Sequence, residues 1–194
     1  MRVILLAALV ASAAASDLVN VRDWVPDAVL DLRYATERNL SGRVLYPVAR
    51  CELLRPVAKR LAAAAERLRA EGFRLVLWDC YRPASAHEAL WRAHPRAGSV
   101  ADPTRGSHHS RGAAVDVSLA SADGRPVEMP TDHDAFGARA FADAVEGVSP
   151  SARRNRAALR SAMEAEGFAV NPREWWHFAA RDASRYPLLD EPLR

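Results

Sequence analysis

The 194-residue sequence lacks an apolar run long enough to cross a membrane. Residues 3–10 are hydrophobic, but a transmembrane helix needs about 20 such residues. No other stretch resembles a membrane span. The sequence therefore predicts a protein without stable membrane insertion.

An excess of charge of one sign is also missing. The chain has 27 Lys and Arg residues against 24 Asp and Glu residues, which gives a formal net charge of +3. Its densest basic patch, residues 153–156, falls where a helix is expected, and we interpret it as a solvated helix face. Since no basic stripe accompanies this patch, nucleic acid is not an expected partner.

Cysteine is scarce, and Cys51 and Cys80 are the two examples. No histidine is linked to either one by local spacing, which argues against a cysteine nucleophile. Cys80 ends an apolar strand and Cys51 begins a predicted helix. A disulfide and two separate buried thiols remain equally open, because pairing does not follow from sequence.

The N-terminus has the pattern of a secretory signal. Arg2 precedes the apolar residues 3–10, and the small residues 13–15 follow. This order is typical of a signal peptide, so we expect cleavage near Ala15 and export of a single domain, residues 16–194, to the periplasm. The alternative is an uncleaved apolar segment buried in the fold.

The rest of the sequence predicts strands and helices in mixed order. Because regular strand–helix alternation is absent, we expect the α+β class, with a mainly antiparallel central sheet flanked by helices. Strands are predicted at residues 27–34, 73–80, 113–119, 168–170 and 175–179, and helices at residues 51–71, 85–94, 135–145 and 151–166.

Two short segments carry the residues of a candidate metal site. His109, Asp116 and His177 would supply three nitrogen and oxygen ligands and leave one position open, which is how catalytic zinc is held. Asp116 lies on an apolar strand, and a metal would supply the partner that a buried charge needs. Glu174 is left as an acid or base, provided that a bend near it brings it to the same side as His177.

The other histidines receive ordinary interpretations. His108 neighbours His109 and should point away from it in an extended backbone. A lone histidine is usually a surface residue or a satisfied core residue, and we interpret His87, His94 and His133 in that way.

Arg82 lies at the junction between the strand at residues 73–80 and the helix at residues 85–94. Side chains at such a junction project into clefts, so Arg82 is a candidate site residue. Its position alone is also compatible with a surface arginine that makes a structural salt bridge.

Five short motifs follow one another along the chain. They are Asp-Leu-Arg-Tyr-Ala-Thr at residues 31–36, Asn-x-x-Gly at 39–42, Trp-Asp-Cys-Tyr-Arg-Pro at 78–83, Ser-x-His-x-x-Gly-x-Ala-x-Asp at 107–116, and Glu-Trp-Trp-His at 174–177. In this order they resemble the LAS-type zinc peptidases, and most closely the VanX-type D-alanyl-D-alanine dipeptidases of that family. The resemblance implies the hedgehog/DD-peptidase fold, one Zn²⁺ per chain and a small D,D-dipeptide substrate.

The resemblance also implies the reaction, which is hydrolysis of the D-Ala-D-Ala dipeptide to free D-alanine. By position in the motifs, His109, Asp116 and His177 match the zinc ligands, Glu174 the general base, Arg82 the arginine that stabilises the tetrahedral intermediate, and Ser107, Asp134 and Tyr34 the substrate-binding residues.

The chain departs from the family pattern at three positions. Pro130 and His133 stand where the family usually has the glycine of Met-Gly-Thr and an aromatic residue before the aspartate. Leu40 stands where phenylalanine is common. We therefore expect the loop around Asp134 to have its own shape.

Two other functions are compatible with these residues. One is a D,D-carboxypeptidase that acts on peptidoglycan stem peptides, and the other is a non-catalytic zinc-bearing binding module. Glu174 and Arg82 argue against the binding module, because binding alone requires neither of them.

Overall fold

The computed structural model describes residues 17–94 and 100–193. The predicted signal peptide, residues 1–15, lies outside the described residues, so its cleavage stays a prediction. None of the helices in the described ranges has the length and apolar character needed to span a bilayer.

Seven strands and three α-helices make up the described part of the chain. Short 3-10 turns occur at Val21–Asp23, Arg33–Ala35, His109–Arg111, Ala138–Ala140 and Ala183–Arg185. In chain order, the strands and helices are β1 (Leu18–Asn20), β2 (Val29–Leu30), β3 (Glu52–Leu54), α1 (Arg55–Ala70), β4 (Phe73–Asp79), α2 (Ala84–Ala93), β5 (Ala114–Ser121), α3 (Pro150–Ala165), β6 (Phe168–Asn171) and β7 (Glu174–Ala180).

The central sheet has five strands in the order β2-β4-β5-β7-β6, and β1 pairs with β3 in a separate ribbon. Only the β2–β4 pair is parallel among the strand pairs described; the others are antiparallel. With helices packed around this sheet, the predicted α+β class is confirmed.

The register of the sheet places three residues at the candidate site side by side. Asp79 on β4 lies opposite Asp116 on β5, and Asp116 lies opposite His177 on β7. Residues directly opposite each other share a face of a sheet. A bulge between Leu77 and Asp79 shifts β4 by one residue, and this shift brings Asp79 into the row.

Helix α1 supports the sheet from one side. Its buried positions, which include Val57, Leu61 and Leu68, recur at helical spacing and form one apolar face. This face packs against β4 and α3. Pro56 lies in the first turn, where its missing N–H costs nothing, and Gly72 ends the helix in a left-handed conformation (φ 83°). The predictions for this helix are confirmed, apart from its start.

That start differs because residues 52–54 are extended and pair with β1, so α1 begins at Arg55. The strand predicted at residues 27–34 is also wrong over most of its length. Only Val29 and Leu30 pair with β4. The chain then turns through Arg33–Ala35, where the Arg33 side chain binds Asp31 and Asp132 instead of facing solvent.

The helix predicted at residues 135–145 is wrong as well, and a single 3-10 turn stands in its place. Gly137 has a φ of 134°, which no right-handed helix allows. Phe141 and Val145 are exposed, so no apolar face stabilises a helix here. Helix α2 lies one residue earlier than predicted, and in its first turn the Ser85 N–H donates to the distant Asp190 (2.7 Å).

Cys51 and Cys80 form a disulfide, which settles the question that the sequence left open. It joins the residue before β3 to the residue after β4. Both cysteines are fully buried. The disulfide therefore ties the β1–β3 ribbon to the end of the central sheet where Asp79 lies.

Replacing both cysteines, as Cys51→Ala with Cys80→Ala, should lower the free energy of unfolding. The expected loss is about 3.6 kcal/mol, because the disulfide closes a loop with a sequence separation of 29 and restricts the unfolded chain. Urea unfolding of the oxidised wild type and the double variant measures this loss. Reduced wild type is the control and should match the variant; equal midpoints for oxidised and reduced protein would contradict the expectation.

Candidate active site and metal centre

One cleft of about 320 Å³ collects the residues that the sequence singled out. It lies where the Asp116 and His177 ends of β5 and β7 meet the turn at His109–Arg111. All eight candidate site residues line this cleft, namely Tyr34, Arg82, Ser107, His109, Asp116, Asp134, Glu174 and His177.

The three candidate metal ligands converge. One ligand atom each of His109, Asp116 and His177 lies within 4.8 Å of the others. His109 Nε2 is 3.1 Å from His177 Nδ1 and 3.3 Å from Asp116 Oδ1. His177 Nδ1 is 2.9 Å from the same oxygen. These atoms come from a turn and from two neighbouring strands, so they are held without a flexible loop.

The orientation of His109 is set by a backbone contact. Its Nδ1 donates a hydrogen bond to the carbonyl oxygen of Cys80 (2.7 Å). This bond selects the tautomer whose Nε2 lone pair faces His177 and Asp116. The sharp turn behind His109 needs Gly112, because its φ is 61° and a Cβ there would lie 2.9 Å from Leu18.

The charge on Asp116 is strongly stabilised. Burial by itself raises the pKa of this carboxyl, but the neighbouring imidazoles of His109, His133 and His177 outweigh burial, so the pKa lies well below its usual range. The site therefore offers two imidazole nitrogens and one ionised carboxylate. This donor set fits Zn²⁺ and related divalent metals.

His133 is a site residue that the sequence analysis missed. It is buried, and its Nε2 donates to Asp116 Oδ2 (3.1 Å). The sequence predicted His133 to be a surface residue or a buried residue with ordinary partners. The burial is confirmed, but the contact with Asp116 was not predicted. The available signal was its position next to Asp134, in a loop where the chain departs from the family pattern.

His87 was missed in a similar way. Its Nε2 donates to the carbonyl oxygen of Ala101 (2.9 Å), so its Nδ1 is left to accept from Arg82 Nη1 (3.2 Å). Burial, followed by the charge of Arg82, lowers the pKa of His87 to about 4. His87 is therefore a neutral acceptor for the arginine.

Arg82 is held by a buried ion pair. Its Nε and Nη2 donate to Asp79 Oδ2 (3.0 and 2.6 Å), and the other oxygen of Asp79 accepts from the Tyr46 hydroxyl (2.6 Å). The guanidinium also lies 4.6 Å from the centre of the Tyr34 ring. The alternative of a surface salt bridge is wrong, because the pair is buried and Arg82 lines the cleft.

Glu174 reaches the same cleft as His177 because the β6–β7 pairing is irregular. Val170 pairs with Phe178, whereas the next residue, Asn171, pairs with Glu174. This register shift is a departure from regular strand pairing next to Glu174, where the three-residue spacing required an irregularity. Burial raises the pKa of Glu174, and its Oε2 accepts from the Asn171 amide (2.8 Å).

Asp134, Tyr34 and Ser107 lie around the ligand cluster. Asp134 has a φ of 56°, the sole non-glycine residue with a positive φ within the described ranges. Its Oδ2 accepts from the Tyr34 hydroxyl (2.9 Å), and burial raises its pKa. Ser107 is buried and its Oγ accepts from the backbone N–H of His109 (3.2 Å).

The fold and the cleft together define an α+β protein with a candidate metal centre in its cleft. The chain belongs to the D-ala-D-ala dipeptidase family of M15 peptidases, whose model matches residues 14–192. This membership confirms the resemblance found in the sequence motifs.

Several curated relatives share most of their length with this chain, and each is a D-alanyl-D-alanine dipeptidase. The protein from Escherichia coli (strain K12) is 37% identical over 174 residues, covering 90% of each chain. The relative from Enterococcus faecium is 34% identical over 190 residues, covering 84% of this chain and 92% of the other. That from Streptomyces coelicolor is 33% identical over 187 residues, covering 86% and 92%.

Proposed function

We propose that this protein is a zinc-dependent dipeptidase that hydrolyses D-Ala-D-Ala to free D-alanine. The observation that carries the proposal is the convergence of His109, Asp116 and His177 beside Glu174 and Arg82 in one cleft. Family membership and relatives that act as D-alanyl-D-alanine dipeptidases support it.

His109, Asp116 and His177 would hold the zinc. When bound, the ion supplies a Lewis acid that polarises the peptide carbonyl and acidifies water. Glu174 takes the proton of the attacking water and passes it to the leaving amine. Its burial and raised pKa favour this role, because a general base works best when its pKa is close to the working pH.

Arg82 stabilises the negative charge that develops on the carbonyl oxygen. Its guanidinium has five N–H donors, of which three point to Asp79 and His87. The two N–H groups that these contacts do not use lie on the terminal nitrogens Nη1 and Nη2. Because the ion pair with Asp79 holds the guanidinium in place, these donors are pre-oriented, which is the condition for effective oxyanion stabilisation.

Asp134 binds the free ammonium group of the dipeptide. Its carboxylate lines the same cleft as the metal ligands and is buried. A buried carboxylate pairs far better with a charged ammonium than with a neutral peptide N–H. This contact would favour free dipeptides over the stem peptides that a D,D-carboxypeptidase trims.

The first test is release of free D-alanine from D-Ala-D-Ala by metal-free and zinc-restored protein. Release should depend on zinc, and Glu174→Gln should keep zinc while losing at least about 100-fold in kcat, because the proton acceptor is gone. A ninhydrin-type assay follows D-alanine, and metal analysis follows zinc.

A parallel assay with a peptidoglycan pentapeptide distinguishes the proposed dipeptidase from a D,D-carboxypeptidase. Release of D-alanine from the pentapeptide alone would support the D,D-carboxypeptidase. If folded, zinc-loaded wild type hydrolyses neither substrate, the result would support the non-catalytic zinc-bearing binding module.

The role of Asp134 predicts a change in substrate preference. Asp134→Asn should raise KM for D-Ala-D-Ala and narrow the preference for the dipeptide over D-Ala-D-Ala-D-Ala, because the charge that pairs with the ammonium is lost. Steady-state kinetics on both peptides measure this preference. An unchanged ratio of kcat/KM values would refute the assigned role.

We further propose that residues 1–15 are a signal peptide and that the mature protein, beginning near residue 16, is exported to the periplasm. The buried Cys51–Cys80 disulfide supports export, because disulfides persist in oxidising compartments. Fractionation of a Gram-negative host that expresses the full chain should yield a periplasmic protein whose intact mass lacks residues 1–15. Leu6→Arg, which interrupts the apolar segment, is the control and should remain cytoplasmic and full-length. Cytoplasmic, full-length wild type would contradict the proposal.

A further inference from the structure

His133 lies on a loop that other residues already hold in place. Its neighbour Asp132 makes a two-point ion pair with Arg33 (2.8 and 3.2 Å). The hydroxyl oxygen of Thr131 accepts from the indole N–H of Trp175 (2.8 Å). The backbone around His133 is thus anchored without its imidazole, so a function for the ring has to come from its own contacts.

The ring of His133 bridges two carboxylates. Its Nε2 is 3.1 Å from Asp116 Oδ2, and its Nδ1 is 3.4 Å from Asp134 Oδ2. The opposite oxygen of Asp116, Oδ1, faces His177 at 2.9 Å. The two oxygens of Asp116 are therefore divided between the candidate metal centre and His133.

Packing alone does not call for a histidine at this position. The ring sits among Trp78, Tyr34 and Trp176, with ring centres 5.4, 5.8 and 6.0 Å away. Phenylalanine would satisfy these aromatic neighbours, and an aromatic residue is usual here in the family. Burying the more polar imidazole is unfavourable unless its nitrogens have partners, and Asp116 and Asp134 are those partners.

We propose that His133 is a positioning residue that links the metal centre to the substrate's amino end. Nε2 donates to the Asp116 carboxylate proposed to bind the metal and orients it, and the Nδ1 edge of the ring lies against the Asp134 carboxylate that receives the substrate ammonium and limits its movement. The inference rests on the proposed function and assigns to it a residue outside the ligand set. Partners that orient metal ligands in this way commonly contribute about 10- to 100-fold to metal affinity.

Three substitutions separate the two contacts. His133→Phe keeps the aromatic packing and removes both contacts. In His133→Gln the amide nitrogen can take the place of Nε2, and in His133→Asn it can take the place of Nδ1. His94→Phe is the matched control, because His94 directly follows the last residue of α2 and is not among the residues that line the cleft.

The measurements are the zinc dissociation constant of each metal-free protein, by competition with a chelator, and kcat and KM for D-Ala-D-Ala at saturating zinc. His133→Phe should weaken zinc binding about 10- to 100-fold. Its KM should also rise about tenfold, because the Asp134 carboxylate loses its contact with the imidazole. His133→Gln should restore zinc affinity while KM stays high, and His133→Asn should show the reverse.

The outcomes distinguish this inference from the proposed function. In one outcome, wild type binds zinc and hydrolyses the dipeptide while His133→Phe has the same zinc dissociation constant and the same KM. That result overturns the positioning role of His133 and leaves the proposed dipeptidase function intact. Equal losses in all three variants, with lowered melting temperatures, would show a structural role and also overturn it. A wild type that binds no zinc would overturn both proposals.

Discussion

The buried carboxylate of Asp116 is the group on which the rest of the site depends. It sits in the middle strand of the sheet, where an unpaired charge would be very costly. Imidazoles from three separate segments, those of His109, His133 and His177, compensate for its burial. Any arrangement of the chain that separated these segments would leave the charge unpaired, so the fold and the site stabilise each other.

A second buried charge pair, Asp79 with Arg82, continues this network along the sheet. Asp79 faces Asp116 across the β4–β5 pairing, so two carboxylates lie side by side and each needs its own cations or donors. Cys80, which follows Asp79 directly after the end of β4, carries the carbonyl that orients His109, and its disulfide joins it to the residue before β3. The candidate metal ligand His109 and the cleft residue Arg82 are therefore oriented by one short segment.

Local signals predicted the elements whose residues bury a periodic apolar face. Helix α3 and strand β5 appear close to their expected bounds, because their patterns are long and their packing agrees with them. Prediction failed at residues 27–34 and 135–145, where distant contacts decide the conformation. Arg33 is buried by Asp132, almost a hundred residues away, and a glycine with positive φ prevents a helix at residue 137. Neither fact can be read from neighbouring residues.

The sequence by itself predicted the candidate site and the family, because the types and spacing of His109, Asp116, Glu174 and His177 indicated a three-ligand site with an acid or base beside it, and the motifs carried the resemblance that the family match confirms. Only the tertiary structure decided how that chemistry is supported. The disulfide, the irregular pairing beside Glu174 and the placement of His87 and His133 depend on strand register and on which buried polar atoms meet. A histidine far along the chain becomes a partner of Asp116 only when the fold buries both, since burial is what makes an unpaired polar group costly.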